Sequence, residues 1–265
     1  MKRFIYFLFL TMMSSSFGQK NISYAKGSYF IELSTNKIWY GPSNLHFQNN
    51  NDNFELTKLK AKDNAFNLSN QGKELQFGIK FGAYIANHWA IQIGLDHFNY
   101  RSVPNQNLQI QGNSFLGSHQ NEAIALDSLS YFNHKINYLH IGTNRGGRLI
   151  AFDRRAKYLL TSNVGADFGF LLSSSENNYE KTIQKNSAHM SGFAASLSLG
   201  INFEIQSRFF IGLAGLGGYQ FQSALKADQQ TGRIKQNYPF GMLQAKLGFF
   251  FYSKNKDHCN TCPQW

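Results

Sequence analysis

The sequence predicts an all-β chain, folded as an antiparallel up-and-down transmembrane β-barrel of eight strands. Three observations predict it. Apolar residues recur at every second position in long runs, which is the period of a strand. The positions between them carry Gly, Ser, Asn and Gln, not the Lys and Glu of a solvated surface. Large aromatics gather toward the ends of the runs, at Trp39, Tyr40, Trp89, Tyr100, Tyr158, Tyr219 and Tyr252, as in the girdles of a membrane barrel.

The first strand is predicted over 27–40, where Tyr29, Ile31 and Leu33 alternate with Phe30, Glu32 and Ser34. The second, over 73–87, places Leu75, Phe77, Ile79, Phe81, Ala83 and Ile85 on one face. Asn87-His88 turns the chain into the third, over 89–102, with Trp89, Ile91, Ile93 and Leu95 in phase. The fourth, over 135–144, has no clean phase, because Leu139 and Ile141 compete with Ile136, Tyr138 and His140. Clear alternation returns over 157–172, 190–205, 208–223 and 239–252, with Gln206-Ser207 as the turn between the sixth and seventh strands. A soluble β-sandwich shares the period, but its strands run to ~5–6 residues, and these runs reach about 13–16.

The connections alternate too. Long ones are expected at 41–72, 103–134, 173–189 and 224–238, and short ones after the second and sixth strands. Membrane barrels have short periplasmic turns and longer extracellular loops, so the first strand rises from the periplasm and both chain termini of the barrel lie there. The link over 145–156 is long for a periplasmic turn. Residues 54–60 (FELTKLK) read as a further strand, which makes ten strands the alternative count.

Composition agrees with this reading. The 265 residues include 25 Phe and 13 Tyr, only 4 Pro, and 15% charged residues, which excludes disorder. After the leader no run approaches ~18 consecutive apolar residues, so a helical membrane protein is excluded. Lys2 and Arg3, a run of ten apolar residues over 4–13, and the small Ser16 and Gly18 read as a secretory signal. The expected organisation is a signal peptide over 1–18, an outer-membrane barrel domain over 19–252 and a periplasmic tail over 253–265. The net charge is +11. An exported chain rarely meets nucleic acid, so the basic residues are assigned to lipid phosphates and the partners to outer-membrane lipid and lipopolysaccharide. A monomer is expected, with a further surface ligand engaged through the long loops.

Inside the barrel the polar face presents Glu32, Lys80, Gln92, Asp96, Asp167, Glu204 and Lys246. Eight strands enclose a bore that side chains can fill, and mixed acids and bases can pair there. Their expected role is structural. A narrow small-solute channel lined by the same charges is the alternative.

The strands with their long connections, the Gly18-Gln19 start and residues 54–63 (FELTKLKAKD) together resemble a family of small outer-membrane β-barrel proteins common in Bacteroidetes-type bacteria. The likeness continues through Gln76-Phe77-Gly78-Ile79, Ala86-Asn87-His88-Trp89 and Gly94-Leu95-Asp96-His97, and recurs in Arg208-Phe209-Phe210. It implies a barrel and its location, and no activity. A more distant likeness, to lipid A deacylase barrels, rests on His134-Lys135-Ile136-Asn137, which keeps the His and Asn of that family's His-x-Ser-Asn core. The nucleophile position holds Ile136, and acyl transfer needs a nucleophile beside its base. Esterase activity through His134 and Asn137 is therefore an alternative only, with Ser128 and Ser130 as substitute nucleophiles, and no catalytic residue is assigned.

Two other motifs carry no function. His258-Cys259 and Cys262 lack the four ligands of a structural zinc site, so a local disulfide or an unused pair is expected. The Gly-rich stretch over 212–218 lies inside a strand, where a phosphate loop would open a helix. No cofactor and no metal is expected. The sequence thus predicts a non-enzymatic barrel with a structural or surface-recognition role.

Overall fold

The computed structural model describes residues 24–63, 76–126, 130–153, 157–179, 182–226 and 232–252. The signal segment, the Cys259–Cys262 tail, Ser128 and the basic residues Arg154 and Arg155 lie outside them. Among the described residues the chain forms β1 (Ser28–Tyr40), β2 (Ser43–Gln48), β3 (Asn53–Leu59), β4 (Ala61–Lys62), β5 (Phe77–Ala86), β6 (Trp89–Ser102), β7 (Asn107–Ser114), β8 (Gly117–Ala125), β9 (Ser130–Ala151), β10 (Tyr158–Tyr179), β11 (Thr182–Ile205), β12 (Phe209–Lys226) and β13 (Arg233–Tyr252).

Eight of these close the barrel. In the order β1-β5-β6-β9-β10-β11-β12-β13 each pairs antiparallel with the next, and β13 pairs back onto β1 from Ser28↔Tyr252 to Tyr40↔Phe240. The barrel is inside-out. Leu197 is 69% exposed and Ile141 58%, whereas Asp96 and Glu204 are 1% and 0% exposed. A sandwich would bury the leucines and expose the carboxylates. An outward apolar wall around buried charge is stable only in lipid, so the alternation defines a transmembrane barrel.

The turns at one end are tight. Gln206 and Ser207 take φ of 54° and 53°, and Arg208 N–H donates to Ile205 O at 3.1 Å. Positive φ at both central residues is the mark of a type I′ turn, whose twist matches that of the strands it joins. His88, with φ 69°, closes the β5–β6 turn and is held by its N–H donating to Tyr24 O at 2.8 Å.

The other end corrects the sequence reading. The predicted connections over 173–189 and 224–238 are largely strand: β10 runs on to Tyr179, β11 begins at Thr182, β12 reaches Lys226 and β13 begins at Arg233. Beyond the lipid neither face of a strand must be apolar, so the alternation fades there while the hydrogen-bond ladder continues. The link over 145–156 shortens likewise, because β9 extends to Ala151. The connections over 41–72 and 103–134 contain β2, β3, β7 and β8, which extend the sheet in the order β13-β2-β3-β7-β8, and β4, which pairs with β1 and β6. Of residues 54–60, all but Lys60 lie in a strand, β3, but in this upper storey and not in the closed barrel, so the count stays at eight.

Candidate functional site

Phase and register decide what meets inside the bore. On β9, Ile136, Tyr138 and His140 point inward and are buried, while Leu139 and Ile141 are exposed. That settles the strand without a clean phase. Tyr100 also points inward, 1% exposed, so it belongs to the core and not to the outer girdle, unlike Trp39 and Trp89 at 55% and 46%.

The bore is filled in layers. At the turn end Tyr24, Phe30, Tyr84, Ala90, Phe210 and Phe250 form an apolar plug. Gly82 and Gly248 make room for it: a Cβ on Gly82 would come within 2.3 Å of the Phe30 ring, and one on Gly248 within 2.1 Å of the Phe210 ring. The Tyr24 hydroxyl donates to Glu204 Oε1 at 2.5 Å, which answers a carboxylate that is 0% exposed.

Above the plug lies the charged layer. His140 Nε2 is 3.2 Å from Asp96 Oδ2, and its Nδ1 is 3.3 Å from Asp167 Oδ1. Both contacts are at ion-pair distance without linear hydrogen-bond alignment. Asp96 Oδ1 accepts from Gln244 Nε2 at 3.0 Å and from Asn36 Nδ2 at 3.2 Å, and Gln92 Nε2 donates to Asp167 Oδ1 at 2.7 Å. Lys80 Nζ donates to Gln244 Oε1 at 3.4 Å, and Lys246 Nζ lies 3.3 Å from Glu32 Oε2. The structure thus places Glu32, Lys80, Gln92, Asp96, Asp167, Glu204 and Lys246 inside the barrel, each at or below 5% exposure. It brings Asp96 and Asp167 onto one imidazole, that of His140, to which the sequence assigned no role. The strands that deliver these three residues are β6, β9 and β10, and no local pattern encodes that meeting. Among the described residues no group of three or more His, Cys, Asp or Glu is placed to hold a metal ion.

A third layer of Ile38, Phe98, Ile136, Leu171, Phe240 and Met242, with Tyr100, Tyr138 and Tyr238, closes the bore from the other side. Over it the upper storey packs a cap of Leu45, Phe47, Phe54, Leu56, Ile110 and Phe132 with neighbouring leucines and isoleucines. Phe47 and Phe54 stack at 4.9 Å between centroids.

His134 lies between these two apolar layers, stacked on Tyr100 at 5.6 Å and 2% exposed. It is therefore an interior residue and not an extracellular rim residue. The outward neighbours on its strand, Lys135 and Asn137, are polar, so it stands beyond the apolar band. Burial, with the nearby His189 adding to it, pushes its pKa down to about 3. Asn137 faces outward and hydrogen-bonds His97 Nδ1 at 2.8 Å. The two residues of the esterase alternative thus occupy opposite faces of β9, with Ile136 buried beside His134.

No family model matches the chain, and no curated protein matches it in sequence. Among solved structures it is similar to the outer membrane protein OprG from Pseudomonas aeruginosa, at 10% identity and a TM-score of 0.41 over 87% of this chain and 99% of that one. It is also similar to Ail, the attachment invasion locus protein of Yersinia pestis, at 12% identity and a TM-score of 0.36 over 85% and 99%. A third is the outer membrane protease OmpT from Escherichia coli, at 8% identity and a TM-score of 0.44 over 84% and 97%. At scores this low no activity or ligand carries over.

Proposed function

We propose that this chain is a non-catalytic barrel of the bacterial outer membrane, with a sealed, structural bore and an extracellular storey that serves as its recognition surface. The observation that carries the reading is the layering: an aromatic plug at the turn end, a paired charged layer, a second aromatic layer and an apolar cap. A solute would have to displace packed rings at two levels. The charges between them are matched to one another, as buried ions must be. The outward apolar wall supports residence in lipid, and the short turns support a periplasmic placement of that end. The likeness to the Bacteroidetes-type barrel family fits this reading. The surrounding partners are outer-membrane lipid and lipopolysaccharide, the barrel works as a monomer, and a surface ligand is met by the storey that β2, β3, β7 and β8 build.

Planar-bilayer recording of the purified barrel tests the reading. A sealed bore gives no steady conductance. A conductance that changes when Lys80 is replaced by Gln would overturn it in favour of the narrow channel.

A further inference from the structure

Resting on the outer-membrane reading, we propose that the outer wall over β1, β4 and β6 is a seat for one phosphoglycolipid of the lipid A type. Its phosphate would be held by Lys62 and Arg101, and an acyl chain would lie in the groove that adjoins them across β1, over β12 and β13. The register supplies the first half of the argument. β4 is only two residues long, yet Lys62 pairs with Trp39 of β1 on one side and with Arg101 of β6 on the other. Residues directly opposite in a ladder share a face. Trp39 is 55% exposed on the outer wall, so Lys62 and Arg101 stand beside it, pointing away from the bore. Lys37, two residues below Trp39, is also outward, with its ammonium 2.7 Å from Asp63. Asp63 is itself pinned by Ile38 N–H at 3.2 Å. Asp63 thus offsets Lys37, while among the described residues neither Lys62 nor Arg101 forms an ion pair with a carboxylate. Lys135 adds a further outward cation on the neighbouring β9.

Depth supplies the second half. On β1 the outward residues run Ile31, Leu33, Thr35, Lys37 and Trp39, so the wall passes from apolar to basic within a few residues at an aromatic girdle position. That is the level of lipid headgroups. Lower on β1, and on the side away from β6, the wall holds a groove of about 610 Å³ over β1, β12 and β13, where Thr35 and Ala245 are small between Leu33, Leu213 and Leu247. Thr35 lines the groove and is the outward neighbour of Lys37, so the groove, which opens toward β12 and β13, meets the basic row, which runs from Trp39 toward β6, along the outward face of β1. A guanidinium and an ammonium side by side suit a phosphate monoester, the Arg by bidentate pairing. An indole beside them suits a sugar face at the interface. A lipid with a phosphorylated sugar head and acyl tails meets all three requirements.

The test uses the purified barrel in detergent micelles, with lipid retention read by native mass spectrometry. The probes are bis-phosphorylated lipid A, the same lipid with its phosphates removed, and phosphatidylglycerol. The wild-type barrel should hold bis-phosphorylated lipid A at least about tenfold better than either comparator, a factor that corresponds to one good charge-assisted contact. The double variant Lys62→Gln/Arg101→Gln should lose that preference. Ala245→Phe, which fills the groove, should weaken both glycolipids by the same factor. Equal retention by wild type and double variant overturns the seat, as does phosphatidylglycerol retained as well as lipid A, which would mark a surface for anionic headgroups in general. Each variant is first checked for the slower gel migration on boiling that marks a folded barrel. A wild-type chain that folds as a soluble domain without detergent would overturn the outer-membrane reading itself, and a folded barrel without lipid A preference overturns the seat alone.

Discussion

The imidazole of His140 lies 3.2 Å from the carboxylate of Asp96 deep in the bore, and the space for it is left by a glycine. A Cβ on Gly94 would fall within 2.5 Å of the His140 ring and 2.9 Å of Lys80 Cγ. Charged side chains from several strands can share one cross-section only if neighbouring inward positions carry nothing. Gly78, against Asp96, and Gly142, against Asp167, fill the same role.

Gly142→Ala is therefore expected to destabilise the barrel. Its Cβ would sit 2.1 Å from Asp167 Oδ1 and 2.3 Å from the backbone oxygen of Ala166, and the backbone atom has little freedom to yield. Overpacking of this kind costs about 1–3 kcal/mol. Gly215→Ala, where nothing lies within 4 Å, is the control and should stay within about 0.5 kcal/mol. Urea unfolding in detergent micelles reads both.

The Lys246–Glu32 pair should behave as a buried ion pair, with side-chain exposures of 3% and 7%. Glu32→Gln strands an ammonium in the bore, at a cost of about 3–5 kcal/mol. Adding Lys246→Met should recover most of that loss, since the remaining partners are then neutral. A double variant no more stable than Glu32→Gln alone would show that the ammonium finds another partner.

His134 predicts a pH dependence with a definite sign. Its folded pKa, about 3, lies below the 6.5 of an ordinary histidine because burial disfavours the cation. The unfolded chain takes up a proton below about 6.5 and the folded one does not. The stabilisation is therefore full above that pH and is lost as the pH falls toward about 3, by up to about 1.4 kcal/mol per unit. His134→Phe keeps a ring against Tyr100 and removes the titration. Stability profiles of wild type and variant should run parallel above pH 6.5 and diverge below it, with the variant the less acid-sensitive.

The cap should be separable from the barrel. Phe54→Ala removes a ring that is 1% exposed and stacked on Phe47, a loss of about 3–5 kcal/mol from that storey. Limited proteolysis should then cut within the upper strands, while the boiling-dependent gel shift of the barrel remains.

The sequence by itself determined which residues face the lipid. In a barrel each strand has only two faces, and within the membrane one must be apolar, so Tyr29, Ile31 and Leu33, or Phe193, Ala195 and Leu197, can be read from the period alone. The inward charges were legible for the same reason. Three things were decided only by the tertiary structure. The phase of β9 was hidden because Ile136 and Tyr138 face an apolar layer inside the bore while Leu139 and Ile141 face outward, so both faces are apolar. The meeting of Asp96, His140 and Asp167 was hidden because it depends on the register of β6, β9 and β10, set by pairing along whole strands and by no local motif. The upper storey was hidden because strands beyond the bilayer are free of the rule that one face be apolar. Ser173, Ser175 and Asn186 are buried there by the ladder they stand on, and β4 joins the outer wall through two residues alone.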